Sequence, residues 1–145
     1  MDLVNINNIH GIDIFKKLDF PTDKYAIMNS SWQAALGMRK NGDVDILVSE
    51  DFHHEAKKIT EGKKPISIMN EVYWDWEAAT GMNKASDIIK NHSVFIQGVR
   101  MISFDAYVKM MKVRRNSNTR FSKPAERDLA SVDKFTSLNG LPVLK

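Results

Sequence analysis

The chain contains no cysteine among its 145 residues. Disulfide bonds and thiol chemistry are therefore excluded, and a reducing, intracellular setting is favoured. The chain also lacks any apolar run near the ~20 residues needed to span a bilayer, so we expect no membrane segment. No basic region followed by an apolar stretch is visible at the amino terminus, and we expect no signal peptide. These absences together predict a cytoplasmic protein.

Length and composition are those of an ordinary globular protein. Hydrophobic residues make up 43% of the chain and charged residues 27%, which is typical of soluble domains. The length suits a single domain over residues 1–145. The formal net charge of +3 is compatible with an anionic ligand such as a nucleotide but does not require a nucleic-acid partner.

The most informative stretch of the sequence is residues 25–48. It begins with an apolar, strand-like run, Tyr25–Met28, and continues through a small polar turn, Asn29–Ser31, into a short helical piece. A second strand then carries Asp43 and Asp45 in alternation with apolar residues. Because residues two apart on a strand share a face, the two carboxylates should point the same way, with Cα atoms roughly 6.5 Å apart.

Two carboxylates held on one face repel each other unless a cation lies between them. Hard oxygen ligands suit Mg²⁺ or Mn²⁺, which keep coordination places for water and phosphate oxygens. The polar turn formed by Asn29, Ser30 and Ser31 offers backbone N–H groups and hydroxyls just before a helix start, which predicts a phosphate cradle. Asp43 and Asp45 would therefore hold a metal ion beside a bound phosphate chain.

Periodicity elsewhere predicts an α/β (α+β) domain, with a small mixed, twisted sheet flanked by helices. We expect the acidic pair near one end of the sheet and the site in a groove between the sheet and the C-terminal helices. The predicted helices span 12–18, 51–61, 83–91, 104–115 and 124–139, and residues 116–123 read as a loop. The predicted strands span 65–69, 93–96 and 99–102, and the first of these is expected to continue through 71–74.

The stretch 25–48 resembles the signature of the minimal nucleotidyltransferases in the DNA polymerase β-like superfamily. That signature is a Gly-Ser turn followed by Asp-x-Asp in a strand. Ser30 takes the place of the serine, Asp43 and Asp45 that of the acidic pair, and Gly37–Arg39 resembles the Gly-Ile-Arg often found between them. Asn29 stands where the family has glycine. Since asparagine tolerates left-handed backbone, the turn should keep its shape, while its side chain crowds the phosphates.

The resemblance implies two further sets of site residues. A third carboxylate is expected near a tryptophan, with Glu71 as first choice and Asp75 as second; alternatively these acids are solvated on an aromatic-rich edge. A lysine late in the helix 104–115 is expected near the phosphates, with Lys112 as first choice and Lys109, one turn back, as the reserve; alternatively both belong to a solvated basic face. Trp74 and Trp76 either stack on a base or, as we favour, belong to the core or an interface.

The function implied by the resemblance is transfer of an NMP from an NTP, such as ATP, to an acceptor hydroxyl. Asp43, Asp45 and the third carboxylate would hold Mg²⁺ or Mn²⁺, and the turn, Arg39 and a lysine would bind the triphosphate. The acceptor is left open between a small molecule, a protein and RNA. The alternatives are a nucleotide-binding or toxin–antitoxin-type regulatory module of the same fold, with a protein partner or a second copy of the chain, and a basic nucleic-acid binder without an active site.

Overall fold

The computed structural model describes residues 4–140. These residues form a 3₁₀ turn at Ile6–Asn8, seven α-helices and five β-strands, so the predicted mixed α+β class is confirmed. The strands are β1 (Tyr25–Met28), β2 (Val44–Val48), β3 (Ile66–Met69), β4 (Ser93–Ile96) and β5 (Val99–Ile102). The helices are α1 (Ile12–Leu18), α2 (Ser31–Ala35), α3 (His53–Ile59), α4 (Trp74–Thr80), α5 (Ala85–Asn91), α6 (Phe104–Arg115) and α7 (Ser122–Asn139).

The five strands form one mixed sheet in the order β3-β2-β1-β5-β4. β1 runs antiparallel to β2 and parallel to β5, while β2 runs parallel to β3 and β5 antiparallel to β4. The register places Asp45 opposite Met28 at the end of β1 and opposite Ser67 on β3. The start of β2 therefore lies beside the turn that leaves β1.

Burial explains why the central strands form where they do. All four residues of β1 are buried, and in β2 every residue is buried except Asp45, which is half-buried. Trp32 of α2 is fully buried, and its indole Nε1 donates a hydrogen bond of 2.7 Å to the carbonyl of Ile102 at the end of β5. This bond fixes α2, and hence the turn that precedes it, against the sheet.

Helices α4, α6 and α7 pack against one another in sequence. α4 packs against α6, and α6 packs against α7. As predicted, α6 spans 104–115, and Ser103 caps it by accepting a hydrogen bond of 3.2 Å from the backbone N–H of Ala106. The predicted strands 93–96 and 99–102 are also confirmed as β4 and β5. None of the helices within residues 4–140 combines the length and hydropathy needed to cross a bilayer.

The prediction that the third strand continues through 71–74 is wrong. The strand ends at Met69, and helix α4 begins at Trp74. Trp76 and Ala79 lie three apart on α4 and form a stripe that packs on the core, with Trp76 only 2% exposed. Burial of this stripe against the C-terminal helices outweighs the local preference of aromatic residues for strands.

Smaller corrections concern element ends. β2 begins at Val44, so Asp43 lies in a bend just before the strand and not within it. α3 begins at His53 and ends at Ile59, inside the predicted 51–61. α7 begins at Ser122, so the loop after α6 is shorter than predicted.

Candidate functional site

The turn at the end of β1 takes the backbone shape that its asparagine allows. Asn29 has φ 62°, in the left-handed region where asparagine is enriched among non-glycine residues. The chain then enters α2, and the backbone N–H of Trp32 donates a hydrogen bond of 3.2 Å to the carbonyl of Asn29. The tight polar turn expected before a helix is therefore present.

Asn29 lies directly beside Asp45. Its side-chain Nδ2 donates a hydrogen bond of 3.1 Å to Oδ2 of Asp45. Burial raises the pKa of the Asp45 carboxyl above its usual value, the hydrogen bond from Asn29 lowers it, the charge of Asp43 raises it, and the charge of Arg114 lowers it. The net upward shift means that the negative charge of Asp45 is incompletely compensated, which favours a bound cation at this point.

Two polar atoms at the turn are buried without any hydrogen-bond partner in the described part of the chain. They are Oδ1 of Asn29 and Oγ of Ser31. Buried side-chain oxygens in folded proteins almost always have a protein or water partner. Unsatisfied acceptors next to a half-buried carboxylate therefore indicate a place that a ligand, an ion or water completes.

A cleft opens at the turn and consists of two adjoining pockets that share Asn29 and Arg114. The first, which we call the polar pocket, has a volume of about 230 Å³ and contains Ser30, Arg39 and Asp45 in its walls. The second, the aromatic pocket, has a volume of about 440 Å³. Its walls come from β1, β3, α4, α6 and the segments just before α4 and α7. Besides the shared residues they comprise Met28, Met69, Tyr73, Trp74, Asp75, Trp76, Arg120 and Phe121.

The polar pocket brings together four of the predicted site residues, Asn29, Ser30, Arg39 and Asp45. The guanidinium of Arg39, whose side chain is 45% exposed, lies 3.8 Å from the carboxylate of Asp128 on α7. Two further predicted residues of the stretch 25–48 lie outside its walls. Ser31 is fully buried behind the turn, and Asp43 is exposed just before β2, where its charge still acts on Asp45.

The two candidates for a third carboxylate occupy different places. Asp75 lies in the wall of the aromatic pocket, but its Oδ2 accepts a hydrogen bond of 2.5 Å from Nε of Arg114 in an ion pair. Glu71 is exposed and lines a separate depression with His53 and Lys57. Because α4 replaces the expected strand continuation, Asp75 and not Glu71 is the acid brought to the cleft, and it is already paired.

Neither of the predicted lysines lines the cleft formed by the described residues. Lys109 is paired with Asp105 at 3.0 Å on the exposed face of α6, and Lys112 is exposed. The cations in the walls of the cleft are Arg39, Arg114 and Arg120, and sequence reasoning missed Arg114, which both pockets share. Arg114 follows the buried Tyr107 by seven residues and therefore lies on the same face of α6, a helical spacing that could have identified it.

The residues at the turn fit one hard divalent cation. Their potential ligands are all oxygens: the carboxylate of Asp45, the unpartnered Oδ1 of Asn29 and the hydroxyl of Ser30. Magnesium in proteins is commonly held through one or two carboxylates together with water and substrate phosphates. Within residues 4–140 no group of three or more acidic or histidine side chains is arranged to hold a metal, and the carboxylates in the walls of the polar pocket are those of Asp45 and Asp128.

Comparison with known proteins adds nothing to these observations. No protein-family model, no curated protein and no solved structure matches the chain. A functional interpretation therefore depends on the residues of the cleft themselves.

Proposed function

We propose that this protein binds a nucleoside triphosphate with Mg²⁺ or Mn²⁺ in the cleft and transfers its NMP to an acceptor hydroxyl, as a metal-dependent nucleotidyltransferase of the cytoplasm. The observation that carries the proposal is the half-buried carboxylate of Asp45 held 3.1 Å from the side chain of Asn29 at a left-handed turn. This arrangement would combine a cation ligand with a phosphate-binding turn, as the resemblance to the minimal nucleotidyltransferases implies.

The chain would bind the triphosphate through charge and hydrogen bonds in the polar pocket. Arg39 and Arg114 both line this pocket, and arginine binds phosphate oxygens through two parallel N–H donors. Asp45, with Asn29 and Ser30, would hold the cation, which supplies further neutralisation of the phosphate charge. Together these groups would align the triphosphate for attack at its α-phosphorus.

The proposed reaction forms one bond and breaks one. The acceptor oxygen bonds to the α-phosphorus, the bond from that phosphorus to the oxygen bridging the β-phosphate breaks, and pyrophosphate leaves. Arg114 would turn from Asp75 towards the leaving phosphates and stabilise their charge. Asp75, released from its pair, would take the proton of the acceptor hydroxyl. The acceptor is a small molecule, a protein or RNA.

Transfer of label tests this proposal. The purified protein is incubated with each NTP radiolabelled at the α-phosphate, Mg²⁺ or Mn²⁺, and panels of small-molecule, protein and RNA acceptors. We expect label in an acceptor, and we expect Asp45→Asn and Asp75→Asn each to abolish it. Asp105→Asn, at an exposed acid of α6 outside the cleft, is the matched control and should leave transfer unchanged. Transfer that persists in Asp45→Asn would contradict the proposed site.

A nucleotide-binding regulatory module is the second candidate. The observation that favours it is the short ion pair between Asp75 and Arg114, because a carboxylate held in this pair is not free to act as a base. Such a module would hold a nucleotide, and a protein partner or a second copy of the chain, without turnover. For such a module we expect labelled NTP to bind and to be released intact, without transfer of label. We also expect Asp75→Asn to leave nucleotide affinity unaltered.

A further inference from the structure

The aromatic pocket gathers half of the large hydrophobic side chains that are exposed within residues 4–140. Tyr73 is 49% exposed, Trp74 47% and Phe121 42%, and all three line this one pocket. Single exposed hydrophobic side chains are common on protein surfaces, but a contiguous group of large ones usually marks a binding site. Three rings around a cavity of about 440 Å³ indicate a site of small-molecule size.

Two arginines accompany the rings. The guanidinium carbon of Arg120 lies 4.8 Å from the centroid of Phe121, and that of Arg114 lies 5.9 Å from it. Both arginines line the pocket. A surface that combines exposed aromatic faces with guanidinium groups suits a planar, electron-rich ligand carrying negative charge better than it suits a purely apolar segment of another protein.

The wall of the aromatic pocket also contains a buried donor without an acceptor. Trp76 is 2% exposed and lines the pocket, and its indole Nε1 has no hydrogen-bond partner among the described residues. A buried indole N–H usually finds an acceptor. A ligand that reached this nitrogen with a ring nitrogen or a carbonyl oxygen would supply one.

The position of the aromatic pocket restricts the ligand further. It shares Asn29 and Arg114 with the polar pocket, so a ligand that filled both would have a ring at one end and anionic groups at the other. We propose that the aromatic pocket binds a nucleobase by stacking, with Trp74 as its principal platform. This inference rests on the proposed function for the location of the phosphates, but it concerns a separate set of residues.

Binding of nucleosides tests the proposal without phosphates or metal. Adenosine, guanosine, cytidine and uridine are titrated into the full chain, with isothermal titration calorimetry as the measurement. Among the described residues Trp74 is the only exposed tryptophan, since Trp32 and Trp76 are buried, so stacking should also quench the intrinsic fluorescence. We expect at least one nucleoside to bind, and Trp74→Ala to weaken its binding about fivefold or more.

Two matched variants separate stacking from folding effects. Trp74→Phe keeps an aromatic face on which a base can stack, so it should bind more tightly than Trp74→Ala. Phe95→Ala removes an exposed ring on β4, 41% exposed and outside the pocket, and should leave both affinity and fluorescence quenching unchanged. Urea titrations of each variant show whether it remains folded.

The outcomes distinguish this inference from the proposed function. If nucleoside binding requires Trp74 but triphosphate binding does not require Asp45, the stacking proposal is supported and the proposed function fails. If Mg²⁺–ATP binds through Asp45 but Trp74→Ala has native affinity for every nucleoside and for ATP, the stacking proposal is overturned. It is equally overturned if no nucleoside binds to the native protein up to its solubility limit.

Discussion

Asp75 joins helix α4 to helix α6 in the wall of the aromatic pocket, and its removal should strongly destabilise the protein. Its Oδ2 lies 2.5 Å from Nε of Arg114, and its Oδ1 accepts a hydrogen bond of 2.9 Å from the backbone N–H of Trp76. The Asp75 side chain is 6% exposed and that of Arg114 27%. Removal of one partner from a buried pair costs about 3–5 kcal/mol. Because the Arg114 side chain remains partly exposed to solvent, we predict a value at the lower end, so that Asp75→Ala lowers the free energy of unfolding by about 3 kcal/mol.

Urea unfolding followed by circular dichroism measures this loss, and the thermal midpoint should fall by about 10 °C. Asp75→Asn should cost less, since the amide oxygen still accepts hydrogen bonds. The double variant Asp75→Ala with Arg114→Ala should recover part of the loss, because it no longer leaves an unpaired guanidinium in a partly buried place.

The pair of Lys109 and Asp105 provides the control. These residues lie four apart on α6 and are joined at 3.0 Å, and their side chains are 57% and 78% exposed. An exposed pair of this kind, together with the helix-dipole effect of an acid in the first turn, contributes less than about 1 kcal/mol. If Asp75→Ala costs no more than Asp105→Ala, the claim that a buried ion pair joins α4 to α6 is refuted.

Three further predictions use the same urea titrations. Burial raises the pKa of Asp45, so the folded state keeps a proton that the unfolded chain loses near pH 3.8. The free energy of unfolding therefore falls as the pH rises above that value. Asp45→Asn should be more stable than the native protein at pH 7, and this advantage should vanish below about pH 4. Asn29→Ala should cost about 1–2 kcal/mol, and Asn29→Gly less, because only glycine takes φ 62° without strain. Tyr107→Phe should cost about 1–3 kcal/mol, since it leaves buried Nε2 of Gln33 without its 2.8 Å acceptor.

Local patterns in the sequence were sufficient to predict several helices and strands together with their ends. The strands at 25–28, 93–96 and 99–102 and the helix at 104–115 were predicted with their observed ends. Each is a short apolar run or a periodic segment bounded by a turn or a cap, so its signal lies within its own residues. The position of Asp45 beside the polar turn followed in the same way, because the turn and the strand that meet there are adjacent in the chain.

Helix α4 and its role in the site could not be predicted in this way. The run of tyrosine and tryptophan at 73–76 has the composition of a strand. Its helical form depends on burial of Trp76 and on the ion pair of Asp75 with Arg114, thirty-nine residues further along the chain. A contact of that separation leaves no mark in local periodicity, and the placement of Asp75 and Arg114 at the cleft depends on it.

The central claim is that the turn at Asn29 and the carboxylate of Asp45 bind a nucleoside triphosphate together with a divalent cation. Isothermal titration of a non-hydrolysable ATP analogue, with Mg²⁺ and again with EDTA, tests this claim most directly. We predict binding of one nucleotide per chain that requires the metal and is weakened about tenfold or more by Asp45→Asn. No binding by the native protein, or equal affinity in Asp45→Asn, would contradict the claim.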